Sequence, residues 1–505
     1  MKRPFSLIGF TLFAFTWILF IIGRDDVTFG VLAVMTALLV TSVMIKKARQ
    51  DLKLPLFFMA AVLSCLLFLA LGTDRSRVQS LTGENVTVTV SVAEAPYRAS
   101  GRDRHYAVCK IEEIGGEKVN GRLRLSFSPT KDDIDPGLLL IGNRLSFTGF
   151  VYRIGQGDES IERYFMGERI LLGAYGVQNL TVTEPSHRGL TFYFHRMRNY
   201  VADTLSRGFS DKVAGVLVGI LTGDKSVLDD KLYEAFRESG VAHLMAVSGL
   251  HLSVWVFFIG GAIPDSDRFS KLKYLFLIFA TVFIMLLSGM SESVKRAGFM
   301  SLVHLVGCLG RRKSDGLNSL GFALFVMILY NPACVLSLSL QLSFLSTLSI
   351  LTLARLYMEG SRAIFGGTQI NSPQRKLMRL CLDSFCISIA VLVFTCPVLI
   401  SSFGGISTTS AWTNMALVPV TTPLLVLTGA YVLLAPVSVL SYPVGLVVNL
   451  LANYVIAVTK FFSGFRNAFL TFEPVNYSRY ILGAVLIIIF SLVILRKMFA
   501  TRRQM

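Results

Sequence analysis

Long apolar runs separated by short polar connections dominate this chain, except across residues 73–189, where the period changes. A helix needs about 20 apolar residues to cross the hydrocarbon core of a bilayer. Runs of that order open the chain at 6–22, 27–45 and 54–72. They resume at 240–263, 272–289, 297–310, 316–330, 333–357, 380–402, 411–436, 443–462 and 480–496. The pattern predicts about twelve spans. Lys2 and Arg3 precede the first run, but no small-residue cleavage site follows it, so it reads as a retained anchor rather than a leader.

Between the third and fourth runs the apolar residues fall on every second position. Val86, Val88, Val90 and Val92 have the alternation of a half-buried strand. Similar short patterns occupy 106–111, 123–127, 145–151 and 170–182, with turn signals at Gly115-Gly116, Asn120-Gly121, Asp135-Pro136-Gly137 and Gly142-Asn143. Several short strands in one such interval predict a small barrel, with an OB-fold as the leading candidate. The stretch 190–238 is neither barrel nor span. Residues 192–209 mix apolar positions with His195, Arg196, Arg198 and Arg207 at helical spacing, as an interfacial amphipathic helix does, and 229–237 is a second charged helix.

The expected fold is therefore a polytopic α-helical membrane protein of about twelve spans with an inserted extracytoplasmic all-β OB-like domain. Its parts are three spans in 1–72, the OB-like domain in 73–189, interfacial helices in 190–238, a multi-span core in 239–498 and a basic tail in 499–505.

Charge orients this arrangement. Lys46, Lys47, Arg49 and Lys53 crowd the second connection, whereas the first is Arg24-Asp25-Asp26. Cationic loops stay on the cytoplasmic side, so both termini are expected there, with 73–189 exported. Alternation then places Arg311-Arg312-Lys313, the 362–379 loop and the 496–503 tail inside, and each is basic. The net charge of +17 lies entirely outside the barrel interval, where fifteen Lys and Arg meet fifteen Asp and Glu. The total is thus weak evidence for a polyanionic partner. Within the interval, Arg98, Arg102, Arg104, Arg122 and Arg124 lie near Tyr97, His105 and Tyr106, a mix that tracks phosphates and stacks bases, or else forms a solvated face. Only Cys109 of the seven cysteines falls in that interval, and none of the seven has metal-ligand spacing, so they read as small core residues.

Candidate chemistry concentrates in 240–254, Gly-Val-Ala-His-Leu-Met-Ala-Val-Ser-Gly-Leu-His-Leu-Ser-Val. Polar groups in hydrocarbon are costly and commonly face a protein interior or a wet path. If 241–256 is helical, Ser248 and His251 face each other three positions apart, as two buried polar groups satisfying one another or as a nucleophile and base. No orienting carboxylate lies in the adjacent spans; the closest acids are Glu234, Glu238 and Asp265. His243 and His251 are eight positions apart, about 80° around a helix, which is poor for one metal. The lead-in Thr222-Gly-Asp-Lys-Ser looks like a phosphate-binding loop, yet Asp224 separates Gly223 from Lys225 and no strand precedes it. Glu292, Lys295 and Arg296 sit at a span boundary, Gln341 lies among Ser337, Ser339, Ser343 and Ser346, and Asn414 follows Trp412. Packing explains any one of these; their recurrence points to a conduit through broken helices.

These residues carry a resemblance. The segment 221–252, Leu-Thr-Gly-Asp-Lys-Ser-Val-Leu-Asp-Asp-Lys-Leu-Tyr-Glu-Ala-Phe-Arg-Glu-Ser-Gly-Val-Ala-His-Leu-Met-Ala-Val-Ser-Gly-Leu-His-Leu, resembles the signature of the ComEC family of competence proteins, which admit DNA across the bacterial inner membrane. Further matches follow at Ser293-Val-Lys-Arg-Ala297, Arg311-Arg-Lys-Ser-Asp-Gly-Leu-Asn318, Asn331-Pro332, Ser339-Leu-Gln-Leu-Ser-Phe344 and Phe403-Gly-Gly-Ile-Ser407, leading to Asn414 and Pro419. The chain departs from the family at Ser339-Leu340, where Gly-Phe is usual, and at 155–166, which matches the usual Asn-Pro-Gly-Phe-Asp-Tyr only loosely. Many relatives add a metallo-β-lactamase-like domain; no H-x-H-x-D-H cluster occurs among the six histidines here, so nuclease activity is expected from another protein.

The resemblance implies an inner-membrane channel for single-stranded DNA, not an enzyme, with no metal or cofactor of its own. It also implies an exported DNA receptor, a cytoplasmic translocase or helicase and a separate nuclease as partners, and it leaves homo-oligomer formation open. Channel or gate candidates are Asp224, His243, Ser248, Gly249, His251, Arg296, Gln341 and Asn414; DNA-contact candidates are Arg98, Arg102, Arg104, Arg122 and Arg124. Two alternatives stand beside this reading. One is a transporter or flippase for another anionic or lipid-linked substrate; the other is an intramembrane hydrolase using Ser248 and His251.

Overall fold

The computed structural model describes residues 4–22, 25–44, 53–79, 81–98, 104–119, 121–130, 132, 134–155, 159–185, 187–224, 227–263, 270–311, 315–358 and 373–472. Arg102, the apolar run 480–496 and the tail 499–505 lie outside them, as does the side chain of Arg98. The chain divides into two compact units. One comprises Met1–Asn199 and Val282–Leu340; the other comprises Tyr200–Thr281 and Gln341–Met505.

In the first unit, helices α1 (Pro4–Ile22), α2 (Asp25–Met44) and α3 (Lys53–Gln79) lead into the β domain. Helices α10 (Glu292–Leu309) and α11 (Gly316–Tyr330) return later in the sequence, and α1 packs on both α3 and α11. The α1–α11 crossing is a glycine contact: a Cβ on Gly9 would stand 2.0 Å from the Gly321 carbonyl oxygen, and one on Gly321 would stand 2.1 Å from that of Phe5. Small residues allow this backbone approach between apolar helices, where packing rather than water expulsion holds the pair. Asn318 Oδ1 accepts from the Phe5 N–H at 3.0 Å and satisfies a donor at the start of α1.

The β domain is a closed five-stranded barrel of β1 (Gly83–Arg98), β2 (His105–Ile114), β3 (Arg122–Phe127), β4 (Arg144–Arg153) and β5 (Ile170–Thr183), in the order β1-β2-β3-β5-β4. Only β3 and β5 run parallel; β1 closes the barrel by pairing with both β2 and β4. This is the small barrel that the five strand patterns between 86 and 182 predict, in the strand order of an OB-fold. Val88, Val90 and Val92 point inward against Leu123, Leu125, Phe127, Leu145, Phe147 and Leu172. Irregularities in β1 at Thr89/Val90, Val92/Glu94 and Glu94/Tyr97 bend it enough to serve two neighbours. Helix α4 (Glu159–Gly167) lies between β4 and β5 and packs on the 3-10 turn Pro332–Leu336, where Asn331 Nδ2 donates to the Gly167 carbonyl at 3.2 Å.

Cys109 is fully buried in the barrel core. Burial, and after it the Glu94 carboxylate, pushes its thiol from 9.0 up to about 12. A raised acid pKa contributes stability fully below the unfolded value, and that contribution is lost as pH rises from about 9 towards about 12. Alkylation of native protein at pH 8 should leave Cys109 at least about 100-fold slower than in denatured protein, because the thiolate is the nucleophile. Comparable rates in mass-spectrometric mapping would refute the buried placement.

The second unit contains α6 (Asp211–Thr222), α7 (Asp230–Glu238), α8 (Gly249–Ala262), α13 (Pro373–Phe403), α14 (Ser410–Leu434) and α15 (Ser438–Ser463). Helices α5 (Leu190–Gly208), α9 (Ser270–Leu287) and α12 (Leu338–Ser349) complete the helical inventory among the described residues. The core of this unit joins Val216, Leu217, Phe236 and Met245 to Leu417, Leu424, Val448 and Val455. Pro419 and Pro423 lie inside α14 without ending it. A short sheet of β6 (Gly405–Ser407) and β7 (Phe469–Thr471) ties the ends of α13 and α15.

Among the described residues five segments are long and apolar enough to cross a membrane: Lys53–Ala70, Leu338–Met358, Met378–Phe403, Ser410–Leu434 and Ser438–Ser463. Four shorter apolar helices accompany them, Pro4–Phe20, Gly30–Ser42, Gly249–Ala262 and Gly316–Tyr330. The run 240–263 is not one helix, which corrects the sequence reading. A 3-10 turn occupies Ala242–Met245 and helix begins only at Gly249. The remaining 14 residues of α8 rise about 21 Å, short of the roughly 30 Å hydrocarbon core. Helix α6 departs from the expectation for 190–238 in the opposite sense, since every residue from Val213 to Ile220 is buried.

Candidate functional site

Two constellations stand out, one on the barrel and one in the second unit. On the barrel, strand pairing sets Tyr152 opposite Gly173, Arg124 opposite Gly173 on the other side, and Phe150 opposite Tyr175. The Tyr152 ring covers the bare Gly173 backbone, where a Cβ would meet the ring carbon at 2.3 Å. Phe150 and Tyr175 stand 4.9 Å apart by ring centroid, and Tyr152 and Tyr175 stand 5.6 Å apart. Arg124 lies 3.7 Å above the Tyr106 ring and 5.0 Å from that of Phe165 on α4. Burial raises the Tyr152 phenol pKa, opposed first by Arg124; Arg104 also lowers it, so both cations border this ring. The outer face of β2, β3, β4 and β5 is thus one aromatic and cationic surface.

The DNA-contact candidates divide on this surface. Arg104 and Arg124 adjoin it, Arg104 exposed and Arg124 half-buried with its Nε lacking a hydrogen-bond partner. Arg122 pairs with Glu94 at 3.1 Å, which offsets its charge. The sequence reading missed Phe150, Tyr152 and Tyr175. An available signal was that Phe150 and Tyr152 occupy outward positions of a strand whose inward positions are Leu145, Phe147 and Val151.

In the second unit α6 ends on Gly223 at φ 79°, and Thr222 Oγ1 accepts from the Asp224 N–H at 3.2 Å, leaving Asp224 exposed. Helix α7 is amphipathic, with Leu232 and Phe236 buried beneath exposed Asp230, Lys231 and Glu234. It closes in a Schellman motif: Gly240 N–H donates to Arg237 and Val241 N–H to Phe236, with Gly240 at φ 76°. Gly240 then faces Ser407 and Ser410, where a Cβ would come within 2.4 Å of the Ser410 Cβ. His243 is exposed on the following turn, and Met245 and Val247 pack on Gly219 and Gly223.

Ser248 is the N-cap of α8. His251 Nδ1 accepts from the Ser248 N–H at 3.0 Å and stands 2.9 Å from its Oγ. Because Nδ1 accepts a backbone proton, the imidazole is the Nε2–H tautomer and its Nδ1 lone pair is engaged. The pair closes the first turn of a helix, and Gly249 is that helix's first residue rather than a bend within a longer one. Asn414 on α14 carries a buried Oδ1 without a hydrogen-bond partner, and Gln341 on α12 is half-buried. Arg296 belongs to the other unit; it is buried on α10, 3.6 Å from Met300 Sδ and next in sequence to Lys295, which pairs with Glu292 at 2.7 Å. No group of three His, Cys, Asp or Glu suited to a metal occurs among the described residues.

A helical membrane protein bearing an OB-like barrel, with a broken apolar segment beside an amphipathic helix, is the class these features define. The family model of the Competence protein matches residues 220–497, and the chain belongs to that family. It is 29% identical over 208 residues to ComE operon protein 3 of Bacillus subtilis (strain 168), covering 41% of this chain and 24% of that protein. It is 26% identical over 283 residues to Competence protein ComA of Neisseria gonorrhoeae, covering 53% of this chain and 39% of the relative. An uncharacterized protein of Escherichia coli (strain K12), YcaI, is 25% identical over 217 residues, covering 41% and 27% of the two chains. The matches thus span less than half of those relatives' own length. No solved structure matches the chain.

Proposed function

We propose that this protein is an inner-membrane channel for single-stranded DNA during natural transformation. The observation that carries the proposal is the barrel face, where Arg104 and Arg124 border Tyr106, Phe150, Tyr152 and Tyr175. Cations that neutralise phosphates beside rings that stack bases are what strand binding without sequence preference requires. Membership of the competence family supports the same reading. In it, α7 and the turn carrying His243 and Ser248 shape the entrance, and the chain has no catalytic role. The Ser248–His251 contact as a helix cap supports that assignment.

On this reading about twelve apolar segments enter the membrane: the five long helices cross it, the four shorter ones and α9 and α10 join them, and the sequence run 480–496 supplies the twelfth. Residues 73–189 lie on the outer side of the bacterial inner membrane, and both chain ends lie in the cytoplasm. An exported receptor, a cytoplasmic translocase or helicase and a separate nuclease would act with it. A second copy of the chain would be a further partner.

Deleting the gene in a naturally competent host is expected to abolish uptake of labelled DNA; normal uptake would overturn the proposal. Phe150→Ala and Tyr175→Ala in the full-length protein should each weaken binding of a labelled single strand by roughly ten-fold, given about 1–3 kcal/mol per stacked base. Unchanged affinity of the double variant would remove the barrel from the path.

A further inference from the structure

Helix α15 carries three distinct faces. Its 26 residues rise about 39 Å, more than the roughly 30 Å hydrocarbon core. At 3.6 residues per turn, Ser438, Tyr442, Asn449, Asn453, Lys460 and Ser463 fall within about 80° of one another. All but the half-buried Ser463 are exposed. On one flank lies the packed face of Val448, Ala452, Val455 and Thr459, and Gly445 and the buried Ile456 fall inside the arc itself, along its packed edge. On the other flank lies an apolar exposed wedge, with Val439 81% exposed, Leu450 70% and Phe461 64%.

Exposed polar positions recur along this arc, broken by Gly445 and Ile456, with the pair Asn449 and Asn453 at its middle. Asn449 and Asn453 straddle the midpoint of α15, and Asn453 Nδ2 donates to the Asn449 carbonyl at 2.8 Å and to its Oδ1 at 3.2 Å. An exposed amide pair at mid-depth is costly against lipid tails. The neighbouring wedge of Val439, Leu450 and Phe461 is the surface suited to lipid. Asparagine amides also bond neighbouring helices in membranes, so accessibility to water is what separates a lined path from a packed helix pair.

We propose that this stripe of α15 lines a water-filled path through the membrane and that its passenger is a polyanion with exposed phosphates. The passenger, but not the water, rests on the channel reading above. Helix α15 contains no Asp or Glu, so its lining is amide, hydroxyl and ammonium. Neutral N–H donors meet phosphate oxygens without holding them tightly, and the absence of carboxylates removes repulsion.

Single cysteines at Asn449 and Asn453, and at Val447 and Leu450 on the apolar wedge, test the path in native membranes. The parent protein with its seven cysteines sets the baseline. An anionic, membrane-impermeant methanethiosulfonate should modify N449C and N453C at least about ten-fold faster than V447C and L450C, because modification requires water at the thiolate. Equal rates at the two faces, or no modification at either, would overturn the path. Asn453→Asp provides the second variant. It should reach the membrane at parental abundance while Leu450→Asp does not, since a carboxylate is tolerated beside water and not beside lipid. Loss of both, or retention of both, would also overturn it. These readouts need no DNA, so normal uptake in a deletion strain would sink the channel reading and leave the water path standing.

Discussion

Gly321→Val is expected to cost the protein at least about 3 kcal/mol and to lower the yield of folded material sharply. The side chain would enter a space held by the Phe5 carbonyl and the Ser6 Cα, at 2.1 and 2.4 Å from the added Cβ. Both obstacles are backbone atoms, so no rotamer change relieves them. Helix α1 must separate from α11, and the Asn318 contact to the Phe5 N–H goes with it. The reciprocal approach of Gly9 to the Gly321 carbonyl means that the crossing needs both glycines, and a side chain at either one breaks it. Gly30 on α2 is the control, because a Cβ there meets nothing within 4 Å. Gly30→Ala should be neutral or stabilise by up to about 1 kcal/mol through helix propensity. Thermal unfolding in a fixed detergent reads both, and a Gly321→Val protein within about 1 kcal/mol of the parent would refute the backbone crossing.

Gly240→Ala is expected to reduce DNA uptake at least about ten-fold through a local cost of roughly 2–4 kcal/mol. Two effects combine. The residue sits at φ 76°, where a Cβ costs about 1–2 kcal/mol. The new methyl would also press on Ser410 Cβ at 2.4 Å and Ser407 Cβ at 2.8 Å. Relief requires the end of α7 to leave the start of α14, which shifts the turn carrying His243 and Ser248. The clash component can be separated from the strain component. Ser410→Gly removes the nearest obstacle, so the double variant should recover about 1 kcal/mol while retaining the left-handed penalty. Strict additivity in a double-mutant cycle would show that Gly240 does not face Ser410.

Much of this architecture is legible in the chain. The alternation from Val86 to Val92 and the Gly115-Gly116 turn signal mark the barrel in the sequence, and both glycines sit at positive φ in the fold. Apolar runs of bilayer length locate most of the long helices. The run 240–263 misleads because hydrophobicity alone does not distinguish a 3-10 turn from a helix. Gly240 in the left-handed region and Ser248 at an N-cap divide it. Helix α6 leaves no period in the sequence, because its residues 213–220 are buried all round and carry no polar face. Ser248 and His251 do come within reach of each other, three positions apart, although 241–256 is not one helix. Their contact is a helix cap because helix starts one residue after the serine.

The sequence by itself determined the class: apolar runs and a neutral, strand-patterned interval dictate a membrane protein with an inserted barrel, because burial and backbone satisfaction in lipid depend on local composition. Its motif at 221–252 likewise determined the family. Only the tertiary structure decided which polar residues share a surface. Phe150 meets Tyr175 through strand pairing across 24 intervening residues, and no local period encodes that register. Asn449 and Asn453 are plain in the sequence, but whether their helix face is packed or open depends on how α14 and α15 meet. That meeting leaves the amides exposed and turns Val448 and Val455 inward, which is why α15 joins the proposed path.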